Sequence, residues 1–269
     1  MTRPVVLVLI DGLGYETAIQ RLGYMEGLAA AGVARRWRMR TELPSLSRPL
    51  YETVHTGVAP HEHGITSNDT VRLSSQPSVF SVARAAGRKT GAAAYYWFSE
   101  LYNRAPFKAL HDIEIDDPGQ IIQHGRFYQH SDFPDSELFH RAALLADRFR
   151  PDFLLVHPMG ADTTGHRFGG RSKQYETVAL QIDNQLAAHL PRWREAGYDV
   201  MVTADHGMDE HGNHGGSVDI HCLVPFYHVG AGVKGGIVPD EVSQTSVAPT
   251  VLNAMGLAPP ASMKARPLT

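Results

Sequence analysis

A single cysteine, Cys222, stands in the chain, which excludes an internal disulfide framework and leaves burial to hold the fold together. Long apolar runs are missing too. The run Pro4 to Ile10 is broken at once by Asp11, and its roughly seven residues fall short of a signal-peptide core or a membrane span. It reads as the first buried strand of a cytoplasmic protein with no membrane partner. Nor is there an excess of charge: a formal net charge of -3 gives no electrostatic reason to bind a nucleic acid polymer or an anionic membrane. No internal repeat or linker divides the 269 residues, so one domain over 1–269 is expected. Against these absences histidine is abundant, at 15 residues, several of them beside Asp or Gly.

The apolar residues fall into short blocks with two different periods. Val5 to Ile10, Phe153 to His157, Tyr198 to Val202 and Leu223 to Tyr227 are continuous β-branched, Leu and aromatic runs, the pattern of strands covered on both faces. Lys89 to Phe98 reads as a further strand, ending in the aromatic cluster Tyr95-Tyr96-Trp97-Phe98. Helical spacing appears from Ser78 to Ala86, through Leu138, Ala142, Leu145 and Phe149, along Tyr175 to Leu190, and from Ser246 to Met255. Strands alternating with helices predict an α/β fold: a single-domain, mostly parallel sheet with helices on both faces. Residues 99–134 carry Pro, Gly, Asp and His without a clear period and form a candidate segment to cover a site.

Three strand exits carry the residues that matter chemically. Asp11-Gly12 follows the first strand, Asp162 and His166 follow the Phe153 strand, and Asp205-His206 follows the Tyr198 strand, with His214 close behind. Ligands in open parallel sheets bind beyond the carboxyl ends of strands. Three carboxylates and three imidazoles suit two borderline cations, Zn²⁺ first and Mn²⁺ second, better than Ca²⁺ or Mg²⁺. Two cations about 4 Å apart stabilise the attacking and leaving oxygens of an in-line phosphoryl displacement. A nucleophile is also in place. In Pro44-Ser45-Leu46-Ser47-Arg48-Pro49, the second proline marks a helix start, so Ser47 sits where free amides and the helix dipole favour an anion. A nearby cation would lower its hydroxyl pKa in place of a base. The plainer readings are an N-cap for Ser47 and a turn-capping Asp for Asp11.

The order of these pieces resembles the alkaline phosphatase superfamily and, within it, the type I phosphodiesterase/nucleotide pyrophosphatase branch. The likeness runs through Val8-Leu9-Ile10-Asp11-Gly12, the Ser47 motif, Thr56-Gly57 to His63-Gly64-Ile65, Asp162 to His166, Asp205-His206-Gly207-Met208, His214-Gly215-Gly216 and the closing Ala248-Pro249-Thr250-Val251-Leu252 with Gly256. The resemblance implies an alkaline phosphatase-like fold and a metal-dependent phosphoric ester hydrolase acting on a small-molecule phosphate or phosphonate ester. It assigns one metal to Asp11, Ser47, Asp205 and His206, and the other to Asp162, His166 and His214. Asn68 stands where the family places an Asn that contacts a phosphoryl oxygen.

The departures from that pattern shape the substrate expectation. The branch usually has Thr as nucleophile followed by an aromatic that stacks on a nucleobase; here these positions are Ser47 and Arg48. A guanidinium favours a second anionic group on the substrate instead, unless Arg48 pairs with Glu52 along its own helix. The short His214-Gly215-Gly216 segment is more like the lipid-headgroup phosphotransferase relatives, and His211 and His221 compete with His214 as ligand. His61 and His63 match no ligand position and read as structural. Sulfatases of this fold need an Arg four residues after the nucleophile, where Tyr51 stands, and cofactor-independent phosphoglycerate mutases carry a large second domain. A phosphonate hydrolase, a phosphomonoesterase and an inactive metal-binding scaffold remain as alternatives.

Overall fold

The apolar blocks become the middle of a single nine-stranded sheet in the computed structural model, which describes residues 2–269. The strands are β1 (Val5–Ile10), β2 (Arg35–Arg40), β3 (Thr90–Tyr95), β4 (Glu114–Asp116), β5 (His124–Tyr128), β6 (Phe153–Val156), β7 (Asp199–Ala204), β8 (Leu223–Val229) and β9 (Gly236–Ser243). Their order across the sheet is β4-β5-β3-β6-β1-β7-β8-β2-β9. β1 pairs in parallel with β6 and β7, and every residue of all three is buried. Covered on both faces, such strands have no solvent side on which to alternate, which is why they read as unbroken apolar runs. Only β4 and β8 run against the rest. The expected α/β fold with a mostly parallel sheet is therefore observed.

Helices flank the sheet in two groups. Tyr15–Arg21, Gly23–Ala30, Asp135–Phe149, Gly160–Phe168 and Lys173–Glu195 pack with one another, and Ser47–Thr56, Val79–Ala85, Trp97–Tyr102 and Val247–Ala254 form the second group. No helix among the described residues is long and apolar enough to cross a membrane. The expected strand Lys89–Phe98 is shorter than its apolar run: β3 ends at Tyr95, and Trp97-Phe98 open the next helix, because the chain turns at Tyr96. Residues 99–134 hold short helical turns together with β4 and β5, at one border of the sheet.

The helix Ser47–Thr56 departs from the usual amphipathic pattern, because all ten residues are buried, including Arg48, Glu52, His55 and Thr56. Polar groups withdrawn from water need partners, and most find them. Thr56 donates to the Glu52 carbonyl, His55 Nδ1 lies 2.8 Å from the Tyr51 carbonyl, and Glu52 accepts from Ser74 and from the Tyr102 hydroxyl at 2.9 Å. The helix stops at Gly57, which has φ 62°, and a Cβ there would lie 3.0 Å from the Thr245 carbonyl oxygen. A left-handed residue with no side chain is required at that contact.

Burial raises the Glu52 carboxyl to about 7 from an ordinary 4.5, against the pull of its two hydroxyl donors. Its neutral form is the one the fold prefers, so its contribution to stability is complete below about pH 4.5 and is lost as pH rises through about 7. Glu52→Gln should remove that slope. Denaturant unfolding from pH 4.5 to 8 is expected to show the wild type falling relative to the variant by up to about 3 kcal/mol. Parallel curves for the two proteins would place the buried charge elsewhere.

Candidate active site

The three central strands β6, β1 and β7 lie side by side and point the same way, so their exits open onto one patch above the sheet. Asp11 follows β1 and Asp205 follows β7. β6 leads through His157 into the helix Gly160–Phe168, where Asp162 and His166 stand one turn apart on a common face. Gly12, with φ 71°, lets that helix come close, since a Cβ there would sit 2.8 Å from Asp162 Cα. Ser47 is the first residue of its helix, 6 % exposed, and its Oγ lies 3.1 Å from His206 Nε2.

The donor atoms converge in two overlapping groups. Asp11, Asp205 and His206 each offer an atom within 4.8 Å of the others, and so do Asp162, His206 and His214. His166 Nε2 joins the second group, 3.3 Å from Asp162 Oδ1 and 3.2 Å from His214 Nε2. Of the rival histidines, His221 is turned toward Asp209 and the Gly216 amide, and His211 is exposed. Asp209 also accepts from the His211 and Asn213 amides, shaping the loop that presents His214. His63 is buried against Thr53 and the Ile65 amide, while His61 is exposed.

Each imidazole is oriented from behind. His166 Nδ1 lies 2.8 Å from the Gly212 carbonyl, His206 Nδ1 3.0 Å from that of Gly207, and His214 Nδ1 3.0 Å from that of Ser45. A carbonyl only accepts, so each Nδ1 carries the proton and each Nε2 presents a lone pair to the cleft. Two such lone pairs facing each other at 3.2 Å repel unless a cation or proton sits between them. The carboxylates behave alike: Asp205 Oδ1 accepts from the Gly12 and His206 amides, both at 2.9 Å, while Asp205 Oδ2, Asp11 Oδ1 and Asp162 Oδ1 have no hydrogen-bond donor.

Electrostatics point the same way. Burial, then the charge of Asp11, pushes the Asp205 and Asp162 carboxyls above their ordinary range. Asp11 is buried too, but His157, His206 and Tyr51 outweigh that and hold it low. Burial lowers His206, and it takes His214 down to about 4, whereas the Asp162 carboxylate lifts the more open His166 to about 9. Burial and mutual repulsion thus both oppose ionising all three neighbouring carboxylates together. Divalent cations fit both the orphaned oxygens and the inward-facing Nε2 lone pairs.

Arg48 does not lie at an open rim. It is 1 % exposed, its Nη2 lies 2.8 Å from Glu100 Oε2, and its guanidinium rests 4.3 Å from the Trp97 ring centre. The plainer pairing with Glu52 is not formed either. Its Nε donates to the Asn68 carbonyl at 2.9 Å, and its backbone N–H donates to Asn68 Oδ1 at 3.0 Å. With its side-chain oxygen engaged, Asn68 has its amide N–H groups left to offer. Glu100, Tyr51, Tyr128 and His157 complete the surroundings and were not singled out as site residues from sequence. His157 carried one signal, a histidine closing an otherwise apolar strand run.

The family profile described as type I phosphodiesterase / nucleotide pyrophosphatase matches residues 5–226. The human GPI ethanolamine phosphate transferase 2 catalytic subunit is 24 % identical over 273 residues, covering 94 % of this chain and 26 % of that protein. Venom phosphodiesterase 2 of Crotalus adamanteus is 23 % identical over 230 residues, covering 77 % of this chain and 27 % of that protein. The chain therefore spans about a quarter of the length of these curated relatives. Among solved structures, murine ectonucleotide pyrophosphatase / phosphodiesterase 5 superposes with a TM-score of 0.77 at 12 % identity, covering 96 % of each chain. The chain belongs to the type I phosphodiesterase / nucleotide pyrophosphatase family.

Proposed function

We propose that this chain is a phosphoric ester hydrolase that works with two divalent cations, Zn²⁺ first and Mn²⁺ second, and transfers a phosphoryl group to Ser47. One observation carries the reading: three imidazole Nε2 atoms and three unsatisfied carboxylate oxygens converge beside the Ser47 hydroxyl, at the one sheet edge where three parallel strands end. Asp11, Asp205, His206 and Ser47 would hold one cation, and Asp162, His166 and His214 the other. When bound, the cations supply charge that lowers the serine pKa and stabilises the developing negative oxygens. Ser47 Oγ gives up its proton to solvent and bonds to phosphorus as the bond to the leaving oxygen breaks, and the departing alkoxide takes a proton from solvent to leave as the alcohol. The Asn68 amide donates to a non-bridging phosphoryl oxygen. Water then attacks the phosphoserine, releases the product and returns the proton to Ser47.

A second reading has its own support. The match to an ethanolamine phosphate transferase spans 94 % of this chain, and an acceptor hydroxyl in place of water in the second step would make the same site a phosphotransferase. Turnover of p-nitrophenyl mono- and diesters and of a phosphonate ester, with and without added alcohol acceptor, separates these outcomes. Complete retention of the nucleophile and donor set weighs against an inactive scaffold, and absence of turnover on every ester with Zn²⁺ and Mn²⁺ would favour one.

The two cation sites should not be equivalent. Asp11, Asp205 and His206 are fully buried, whereas the His166 side chain is 48 % exposed. Dialysis against a chelator is expected to remove metal in two phases, with activity lost in the first and restored by Zn²⁺ or Mn²⁺. The stripped protein should melt lower, because metal binding stabilises the native state. Full activity in protein shown by elemental analysis to be metal-free would end the two-cation reading.

A further inference from the structure

Against the Oδ2 atom of Asp11 lies a sealed polar cluster that this mechanism does not use. His157 follows β6 directly and is fully buried. Its amide continues the sheet ladder to the Ala93 carbonyl at 2.9 Å. The Tyr128 hydroxyl lies 2.7 Å from the His157 carbonyl and 3.2 Å from its Nδ1, so one phenol from β5 fixes both the backbone and the ring. The ring meets Tyr51 edge-on at 4.8 Å and Phe98 at 4.9 Å. Held this way, Nε2 lies 3.3 Å from Asp11 Oδ2, at ion-pair distance without an aligned hydrogen bond, and is otherwise unpartnered. The Tyr51 hydroxyl donates to the same oxygen, and its ring is stacked 4.5 Å from Phe98.

Both groups thus address one oxygen of Asp11 and leave Oδ1 to the cleft, where His206 Nε2 stands 3.5 Å away. A free carboxylate would rotate and share its two oxygens between the cleft and the interior. A polar ring among aromatic side chains is unfavourable unless it is hydrogen-bonded; with Nδ1 sharing the Tyr128 O–H with the carbonyl, Nε2 carries the ring proton and turns it to the Asp11 side. We propose that His157 and Tyr51 are positioning residues that clamp Asp11 Oδ2 and thereby aim Oδ1 at the buried cation. The inference rests on the two-cation reading above and adds to it residues that never touch substrate.

Chelator-stripped protein titrated with Zn²⁺ against a chromophoric competitor reads the clamp directly, without turnover. Wild type should take up two zinc ions. His157→Leu is expected to weaken one of them by roughly ten- to a hundredfold, the range for lost outer-shell partners, and to leave the other unchanged. His157→Gln, whose amide places a donor near the Nε2 position, should recover most of the loss, and Tyr51→Phe should weaken the same single ion. Unchanged zinc affinities in His157→Leu with a lower apoprotein melting point would make His157 a packing residue and overturn the clamp. Equal weakening by Leu and Gln would overturn it as well. If His157→Leu does not fold, wild-type affinity in Tyr51→Phe has the same force. Failure of the wild type to bind zinc would sink the parent function and the clamp together, and it shows before any variant is made.

Discussion

Ser47→Ala is expected to lower turnover of an aryl phosphodiester by roughly a thousandfold or more, the scale on which removing a covalent nucleophile acts. The hydroxyl stands on the first turn of a fully buried helix, 3.1 Å from His206 Nε2, and no other side chain there can replace it. The remaining donors come from other elements, so metal content should stay near two ions per chain. Acid-quenched wild type should carry a phosphoryl adduct on the peptide containing Ser47, retaining the second ester group when the substrate is a diester. The alanine variant should carry none. Wild-type rates in Ser47→Ala would mean that water attacks phosphorus directly, and the covalent step would be wrong.

Arg48→Ala should act mainly through stability. Its removal leaves the Glu100 carboxylate, itself 4 % exposed, with only the Phe107 amide at 2.9 Å as partner, and strips Trp97 of the cation over its face. Breaking one side of a buried pair typically costs about 3–5 kcal/mol, read here as the shift in urea midpoint times its slope. Replacing both charges together, as Arg48→Met with Glu100→Leu, should cost clearly less than the single change. Catalysis should fall too, because the guanidinium anchors the Asn68 backbone. That loss should be similar for anionic and neutral esters if Asn68, as proposed, addresses the phosphoryl group common to both. A selective loss on the anionic ester would restore Arg48 as a substrate contact, and Arg48→Lys, which lacks the fork, should not rescue the wild type.

What could be read from the residues follows from where each signal lives. Strands buried on both faces announce themselves, so β1, β6, β7 and β8 stand out in the sequence, and so do the ligand candidates at their exits. β2 hides, because Arg35-Arg36-Trp37-Arg38-Met39-Arg40 looks solvated. Only the structure shows Trp37 and Met39 turned inward and Arg36 and Arg40 neutralised by Glu26, Glu241 and Asp219. β4, at the sheet border, has too little burial to set a period, and β5 beside it is only five residues long with His124 and Arg126 among them. The burial of Arg48 was hidden for a different reason: adjacency to the nucleophile fixes the position of a Cα and says nothing about which way a long side chain turns. His157 escaped because its partner Asp11 lies far away in sequence, and only the β1–β6 pairing brings the two together.

The placement of β1 between β6 and β7 also sets the order in which the protein can be made. Its six apolar residues are made well before their partners, which begin at Phe153 and Asp199. Until those arrive, the strand has neither neighbour, and pairings across such long separations in sequence form slowly. A nascent chain therefore carries an unpaired hydrophobic strand until β6 and then β7 have been made, the kind of surface that chaperones shield and that aggregates when they do not. The same delay bears on the proposed cation sites. Their donors, drawn from Asp11 to His214, cannot meet before His214 has been made and β1, β6 and β7 have paired.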